Sequence, residues 1–317
     1  MKLNNALLAL ALPACLAVNF AHAGEQDVSA WTKLNQDAAQ LYHNGKVDSA
    51  IETEQKALDL AEKSFGAGDA KVASSLSTLA SFYDNSGKFD QAEPLYKRAL
   101  AIDEKSSDAR ELGKCEFNLG NLYFKEQEYT QAEFHLKRAL ETTEKLFGAE
   151  SPSLVPVLNR LALASQFQSH YAQATPYLQR VVAIKEKTLS ANDPQLAQAL
   201  TNLSNAYASM HEGANAEETA KRALAIAEKN LGADNPKIVS SMETVGTAYI
   251  EEKKFADAEA LYKHALEIQQ KTLGNKDPDV AGTYTDLAKL YWTMGKMKES
   301  KAADKTAHEI LGLKFKE

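Results

Sequence analysis

The residue types that most often carry out chemistry are scattered along this chain of 317 residues. A metal site or a general acid–base pair needs several such groups converging in one pocket. No two histidines beyond residue 23 lie four residues apart, and no His-Glu-x-x-His sequence occurs. The spacing therefore predicts neither kind of site among these six histidines: His43, His135, His170, His211, His264 and His308.

Cysteine and the common catalytic motifs point the same way. Of the two cysteines, Cys15 lies near the N-terminus and Cys115 lies in an apolar-patterned segment, where an inert buried thiol is the simplest interpretation. There is no Gly-rich phosphate loop and no Gly-x-Ser-x-Gly sequence, and the acids lie between lysines, as on solvated helix faces. We therefore expect no cofactor, no metal and no catalytic residue, which means a protein that is not an enzyme.

Residues 1–23 have the three parts of an export signal. Lys2 gives the positive start, residues 6–18 form an apolar stretch, and Ala-His-Ala at 21–23 is a cleavage site with small residues. The apolar stretch is too short for a membrane span of roughly 20 residues. We discount a lipoprotein site at Cys15 because the apolar stretch continues past it. We predict cleavage near Ala23, a periplasmic or secreted protein, and no membrane insertion after cleavage.

The net charge argues against one class of partner. The chain has 36 Lys and Arg against 43 Asp and Glu, a net charge of −7, and it contains no block of basic residues. An acidic chain of this kind is a poor ligand for nucleic acid or for an anionic membrane surface. We therefore expect no nucleic acid among its partners.

A repeated pattern explains most of the chain, and four prolines spaced 42 residues apart mark it. After each proline, positions two, six, nine and thirteen are nearly always apolar or aromatic, as Leu196, Leu200, Leu203 and Tyr207 are after Pro194. This spacing is that of one face of an α-helix. Each proline follows a residue that is a preferred helix N-cap, and proline itself is favoured at the first helical position. The predicted N-caps are Ser151, Asp193, Asn235 and Asp277.

A second amphipathic helix follows each first helix after a short polar turn. In residues 87–105 its apolar face includes Phe89, Leu95 and Tyr96, and residues 253–271 repeat the pattern. Small residues at Ala92 and Ala99 would let neighbouring helices approach closely. No segment alternates with period two, so we expect no sheet.

Seven such units follow one another, with a tyrosine or its replacement as the marker of each first helix: Tyr42, Tyr83, Tyr123, Ser165, Tyr207, Tyr249 and Tyr291. A single helix pair cannot bury its apolar face alone, whereas stacked neighbours bury it together. The sequence predicts an all-α solenoid of about seven antiparallel helix pairs. We expect units at residues 30–70, 71–110, 111–152, 153–194, 195–236, 237–278 and 279–317, after a short disordered lead at 24–29.

Residues 72–105 resemble a tetratricopeptide repeat of the 42-residue kind found in kinesin light chains. The matching features are the Leu-x-x-Leu-Ala/Gly-x-x-Tyr core, the Gly-Lys-aromatic turn, the Ala-Glu-x-Leu-Tyr-Lys-x-Ala-Leu second helix and the Leu-Gly-x-x-x-Pro link. The resemblance extends over about residues 30–317. It implies a right-handed superhelix whose first helices line a concave groove.

The resemblance also implies which residues face that groove. Asparagine at two successive groove positions, in Asn118/Asn121 and Asn202/Asn205, would hydrogen-bond the backbone of an extended peptide. Lys114 and Arg160 could hold an acidic side chain or a C-terminal carboxylate of the partner. Aromatic residues could act as apolar anchors: Phe117, Phe124, Phe167 and Trp292. The predicted peptide-binding residues are Lys114, Phe117, Asn118, Asn121, Asn159, Arg160, Gln198, Thr201, Asn202 and Asn205.

Several alternatives stay open at this level. The same polar residues would also keep an unoccupied groove soluble, and the chain could instead be a structural scaffold or a homo-oligomer that uses convex or terminal surfaces. An undetected enzyme is a third possibility. The fourth unit departs most from the pattern, with Ser165 for the tyrosine and Pro156 inside its first helix, which indicates either a hinge or ordinary sequence drift. The charged last helix is expected to cap the array.

Overall fold

The computed structural model describes residues 13–106 and 108–315, with side chains from residue 24 onward. Within these ranges the chain contains α-helices and two short 3-10 helices, and no strand. The all-α prediction is therefore confirmed. The predicted export signal lies in residues 1–23, of which 1–12 are outside the described residues, and its cleavage stays a prediction.

The helices divide between two compact units, Met1–Leu146 and Phe147–Glu317. In the first unit they are α1 Pro13–His43, α2 Val47–Phe65, α3 Ala70–Asn85, α4 Phe89–Asp103, α5 Ala109–Lys125 and α6 Tyr129–Phe147, whose last residue already belongs to the second unit. In the second unit they are α7 Val155–Phe167, α8 Tyr171–Thr188, α9 Pro194–Ser209, α10 Gly213–Leu231, α11 Val239–Glu251, α12 Phe255–Thr272, α13 Pro278–Thr293 and α14 Met297–Ile310. The 3-10 helices Pro152–Leu154 and Pro236–Ile238 precede α7 and α11.

Consecutive helices pack against each other in both units. In the first, α1 contacts α2, α2 contacts α3, and the series continues to α5. The pairing of α5 with α6 brings Gly120 against Leu136, so closely that a Cβ on the glycine would lie 2.6 Å from Leu136 Cγ. In the second, the series runs without a gap from α7 to α14. Serial packing of short antiparallel helices is the arrangement of an α-solenoid.

The predicted N-caps are confirmed. The side chains of Ser151, Asp193, Asn235 and Asp277 each accept a hydrogen bond from the backbone N–H two residues later, at 2.8 to 3.2 Å. Asp69 and Asp108 cap α3 and α5 in the same way. A proline follows only the four later caps, so the caps rather than the prolines are common to these first helices.

The turn inside each helix pair places one residue in the left-handed region. The residues with positive φ at this turn are Gly45, Gly87, Gln127, Ser169, His211, Lys253 and Gly295. The next backbone N–H bonds the carbonyl five residues before it, as Lys88 N–H bonds Tyr83 at 2.9 Å, which closes the end of the first helix. Four of the seven turns therefore hold a residue other than glycine in a conformation that favours glycine.

The position of this turn corrects the register predicted for the first repeat, residues 30–70. Gly45 and Gly87 are equivalent turn residues, and they are 42 residues apart rather than 41. Leu41, whose carbonyl accepts the hydrogen bond that closes the turn, therefore occupies the position of Tyr83. The predicted marker Tyr42 lies one position later and stacks on Phe82, with 4.5 Å between ring centroids. The sequence alignment chose Tyr42 because this tyrosine directly follows Leu41, the residue at the equivalent position.

One other expectation needs correction, and the structure also shows where Pro156 lies. Residues 24–29 are helical and belong to α1, instead of forming a disordered lead. A 3-10 helix, Pro152–Leu154, precedes α7, whose second residue is Pro156. The 3-10 helix Pro236–Ile238 precedes α11 in the same way, although α11 has no proline at the equivalent position, so Pro156 is not required for the 3-10 turn. Pro156 lies in the first turn of α7, where its missing N–H would have had no intrahelical partner. It therefore causes no break.

The core consists of the predicted apolar face. Leu196, Leu200 and Leu203 of α9 are buried, and the small residues Ala92 and Ala99 of α4 are fully buried. The hydroxyls of two marker tyrosines join successive pairs: buried Tyr123 donates through its Oη to Glu93 on α4, and half-buried Tyr291 to Glu259 on α12. On α14, the equivalent of buried Tyr262 is half-buried Asp304, which is consistent with a capping helix.

Candidate functional site

Helix α9 presents most of the predicted binding residues that the structure brings together. Its leucines at 196, 200 and 203 are buried, which leaves the intervening positions on an accessible face. Gln198 and Asn205 are exposed there, and Thr201 and Asn202 are half-buried. The fixed N-terminus of α9, capped by Asp193 at 2.8 Å, sets the rotation of this face.

One cleft lies between α7, α8 and α9. Its volume is about 220 Å³. The predicted residues Asn159, Gln198 and Asn202 lie in it side by side, although the first comes from a different repeat. This cleft, here named the α7–α9 cleft, is lined by Asn159, Val181, Lys185, Gln195, Gln198, Ala199 and Asn202.

A second and larger cleft, of about 510 Å³, lies on the other side of α9. It takes in the predicted residues Thr201 and Asn205, and it shares Gln198 with the first cleft. This cleft, here named the α9–α11 cleft, is lined by Pro194, Ala197, Gln198, Thr201, Asn205, Ile226, Ala227, Asn230, Leu231, Lys237, Ser240, Ser241 and Thr244. Five of the ten predicted residues thus line two adjoining clefts.

The hydrogen bonds inside these clefts leave polar groups available. Gln198 Nε2 donates to Asn202 Oδ1 at 3.1 Å, which leaves the Asn202 amide hydrogens and the Gln198 oxygen to other partners. Among the described residues, the side-chain amides of Asn159 and Asn205 have no hydrogen-bond partner. Lys185 Nζ donates to Gln195 Oε1 at 3.1 Å. The clefts therefore offer both donors and acceptors.

The lining of both clefts is neutral or positive. Each contains one lysine, Lys185 or Lys237, and neither contains an acidic residue. Arg160 lies next to Asn159 on α7 but lines neither cleft, and burial lowers the pKa of its guanidinium. Its predicted role in holding an acidic group stays a prediction.

Four of the predicted binding residues lie on α5, in the compact unit Met1–Leu146, at positions equivalent to those on α9. Lys114 is exposed and forms an ion pair with Glu111 at 3.4 Å, and Phe117 and Asn118 are half-buried. The amide oxygen of Asn121 is buried and has no hydrogen-bond partner among the described residues. An unsatisfied amide oxygen of this kind has unused capacity for a donor.

The pattern missed the cleft residues that come from other helix positions. Lys185 lies on α8, Asn230 near the end of α10, and Lys237 in the 3-10 helix before α11. Asn230 Nδ2 donates to the carbonyls of Asn192 and Ile226, and so fixes the link between two repeats. Only the packing of a second helix beside two first helices puts these residues in a cleft, and no local sequence signal reports it.

The buried ionisable groups of the third repeat form a separate, closed cluster. Glu116, which replaces an apolar residue on α5, is fully buried, and its Oε2 lies 2.7 Å from His135 Nδ1. Its Oε1 lies 2.9 Å from Arg138 Nε, and Arg138 also bonds Glu104 at 2.7 Å. Burial raises the pKa of nearby Cys115 to about 12, so its thiol stays protonated. The buried carboxylate of Glu116 is therefore paired with groups of its own repeat.

Two searches of the described part of the chain bear on other functions. No group of three or more His, Cys, Asp or Glu side chains there is placed to hold a metal ion. No helix there is both long enough and apolar enough to cross a membrane.

Comparisons with known proteins agree with the fold. The family model for the tetratricopeptide repeat matches residues 30–105, 115–187, 195–271 and 239–311. A search of curated proteins finds no match. Among solved structures, a kinesin light chain type protein from Podosopora anserina with nearly identical TPR-like repeats is 25% identical, with a TM-score of 0.57, covering 64% of this chain and 98% of that one.

Two more distant structures share the fold. The C-terminal part of a TPR repeat-containing protein from Cytophaga hutchinsonii has 16% identity and a TM-score of 0.60, covering 87% of this chain and 95% of that one. The apo form of RapI has 16% identity and a TM-score of 0.57, covering 89% and 98%. Since the family model accounts for most of the sequence and the helices stack as its repeats require, this chain belongs to the tetratricopeptide-repeat family.

Proposed function

We propose that this protein is an exported interaction module that binds an extended stretch of a partner polypeptide along its first helices. Tetratricopeptide repeats serve as protein-interaction modules. The observation that supports peptide binding most strongly is the convergence of Asn159, Gln198, Asn202, Thr201 and Asn205 on two adjoining clefts that share Gln198.

The recognition would act mainly on the partner's backbone. A side-chain amide both donates and accepts, so it can pair with a peptide unit whatever side chain that unit carries. Asn202 has its amide hydrogens available, because only its oxygen is used by Gln198. The hydroxyls of Thr201 and Ser240 add further groups on the walls of the α9–α11 cleft. Contacts of this kind favour an extended segment over a particular sequence.

The test begins with the partner. Affinity purification from the protein's own cell envelope, followed by mass spectrometry, would supply a partner segment for binding measurements. We expect Asn202→Ala with Asn205→Ala to weaken binding of that segment about tenfold, since each hydrogen bond contributes roughly 0.5–1.5 kcal/mol. The affinity is read by isothermal titration calorimetry.

A matched control is available on α8. Gln173 is an exposed amide that lines neither cleft, so Gln173→Ala should leave the affinity unchanged. Thermal unfolding of both variants should match the parent protein, because Asn205 is exposed and Asn202 half-buried. Equal affinity of the double variant and the parent would exclude the two clefts as the binding surface.

A homo-oligomer is the second candidate, and one observation favours it. Trp292 on α13 is 65% exposed, and Met297 at the start of α14 is 44% exposed. Apolar side chains exposed at one end of an array are typical of contact surfaces. Sedimentation equilibrium over a hundredfold range of concentration tests this proposal, and a monomer throughout would exclude it. Export itself is tested by cell fractionation and by N-terminal sequencing of the mature protein.

A further inference from the structure

The second helix of the first pair carries a buried acid at a position where the second to sixth repeats place buried apolar or aromatic residues. Glu54 on α2 is fully buried. The equivalent positions on α4 and α12 hold Tyr96 and Tyr262, and those on α6 and α8 hold Leu136 and Leu178, all of them buried. The apolar slot between repeats is therefore occupied in this one interface by a carboxyl group.

Among the described residues, the carboxyl group of Glu54 has no oppositely charged partner. Neither oxygen makes a hydrogen bond of normal geometry among the described residues. The hydroxyl of Ser75 on α3 interacts with this carboxyl group and also accepts the indole N–H of Trp31 on α1 at 2.9 Å. Residues of three helices thus meet at this point.

The helices packed against α2 offer no compensating charge. Ser75 has no ionisable neighbour within three residues on α3, and Trp31 has Lys33 nearby on α1, exposed to solvent. None of the ionisable groups described on these two helices forms an ion pair with Glu54. They are Glu25, Asp27, Lys33, Asp37, Tyr42 and His43 on α1, and Lys71, Tyr83 and Asp84 on α3.

We propose that Glu54 makes the docking of the N-terminal helix pair pH-dependent. In its neutral form the acid fits the apolar interface, and α1 and α2 stay docked on α3. Ionisation would place an unpaired charge in that interface, which is strongly unfavourable. The pair then separates from α3, and the first interface of the array opens as the pH rises.

The direction follows from proton linkage. Burial raises the pKa of Glu54 from 4.5 to about 7, and the Ser75 hydroxyl acts in the opposite direction. The docked state therefore binds a proton more tightly than the undocked state, so docking is strongest below about pH 4.5 and weakens as the pH rises toward 7. Over that range the docking equilibrium constant falls by up to about 300-fold, and above it no further loss comes from this group.

Trp31 reports on this interface directly. The chain has two tryptophans, and the other, Trp292, is exposed on α13, so Trp292→Phe leaves a single reporter. In the full chain carrying this change, acrylamide quenching of Trp31 is measured between about pH 4 and pH 8, which spans the range over which docking weakens. We expect the quenching constant to rise several-fold as the pH increases, reversibly. A quenching constant that stays flat over this range would overturn the proposal.

Three further variants decide whether Glu54 is responsible. Glu54→Gln keeps the shape and removes the titration, so quenching should stay low at every pH. Glu54→Leu introduces the residue found in α6 and α8 and gives the same test should the glutamine variant fail to fold, as judged by circular dichroism. Glu52→Gln removes an exposed acid from the same helix and should keep the full pH response. A response that survives in either Glu54 variant, or disappears in Glu52→Gln, would overturn the proposal.

Discussion

The third and sixth repeats fill one core slot in opposite ways. In the sixth, Met242 on α11 occupies the slot and is buried among apolar neighbours. In the third, the equivalent residue is Glu116, fully buried and paired with His135 and Arg138. Both repeats nevertheless keep the same helix pair. The backbone arrangement therefore sets the slot, and the sequence can satisfy it with apolar volume or with internally neutralised charge.

The two repeats agree at the point where their helices approach most closely. Gly120 faces Leu136 in the third repeat, and Gly246 faces Tyr262 in the sixth. A Cβ at Gly246 would lie 2.4 Å from the Tyr262 ring, closer than van der Waals contact allows. One core position thus accepts either an apolar residue or a paired acid, whereas the position of Gly120 and Gly246 has no room for a side chain. Close packing of side chains explains the second restriction.

The largest expected effect comes from removing the partners of Glu116. His135→Leu combined with Arg138→Met leaves a fully buried carboxylate without an ion pair, and we expect a loss of about 3–5 kcal/mol of unfolding free energy at pH 7. The measurement is urea denaturation followed by circular dichroism. Adding Glu116→Met, which copies the sixth repeat, should recover most of the loss. If the triple variant is no more stable than the double, the two repeats are not interchangeable solutions.

The next effect concerns the close approach of helices. Gly246→Ala forces a methyl group against the buried ring of Tyr262, and we expect a cost of about 1–3 kcal/mol, measured by the same denaturation. Gly282 on α13 is the matched control, because a Cβ there meets nothing within 4 Å. Gly282→Ala should stabilise by about 0.5–1 kcal/mol through helix propensity. Equal changes in the two variants would show that packing at Gly246 is unimportant.

The smallest effect concerns the turns, which the two repeats share. Gln127 and Lys253 occupy the left-handed region with φ of 64° and 57°. Replacing either with glycine should raise the unfolding free energy by about 0.5–1 kcal/mol, because the native φ strains a residue with a Cβ. Glu126 precedes Gln127 with φ of −77°, so Glu126→Gly should lower stability instead. Thermal unfolding by calorimetry resolves the two signs.

The sequence predicted the features that depend on short-range chemistry. The N-caps at Asp193 and Asp277 were correct, because a capping side chain acts on a backbone N–H two residues away. The buried leucines of α9 were correct because helical periodicity alone selects a face. The one-residue error at Tyr42 arose where two aromatic-compatible positions are adjacent, and only the turn geometry at Gly45 separated them.

The candidate site was predictable only in part. Gln198, Asn202 and Asn205 could be named from their equivalence within the repeat, because each repeat presents the same positions. Lys237 and Asn230 could not, because they reach the α9–α11 cleft from helix ends. The burial of Glu54 without an ion-pair partner could not be predicted either, because an acidic residue in an amphipathic pattern is expected to face solvent.

The sequence by itself determined the helices, their caps, their repeat and thus the family, because these follow from interactions within about four residues and from a period that recurs seven times. The tertiary structure alone decided which polar residues share a cleft, which charges are paired and which buried acid is left without a partner. Those properties depend on side chains separated by about 20 to 40 residues. Their contact is fixed only when neighbouring repeats stack and exclude water between them.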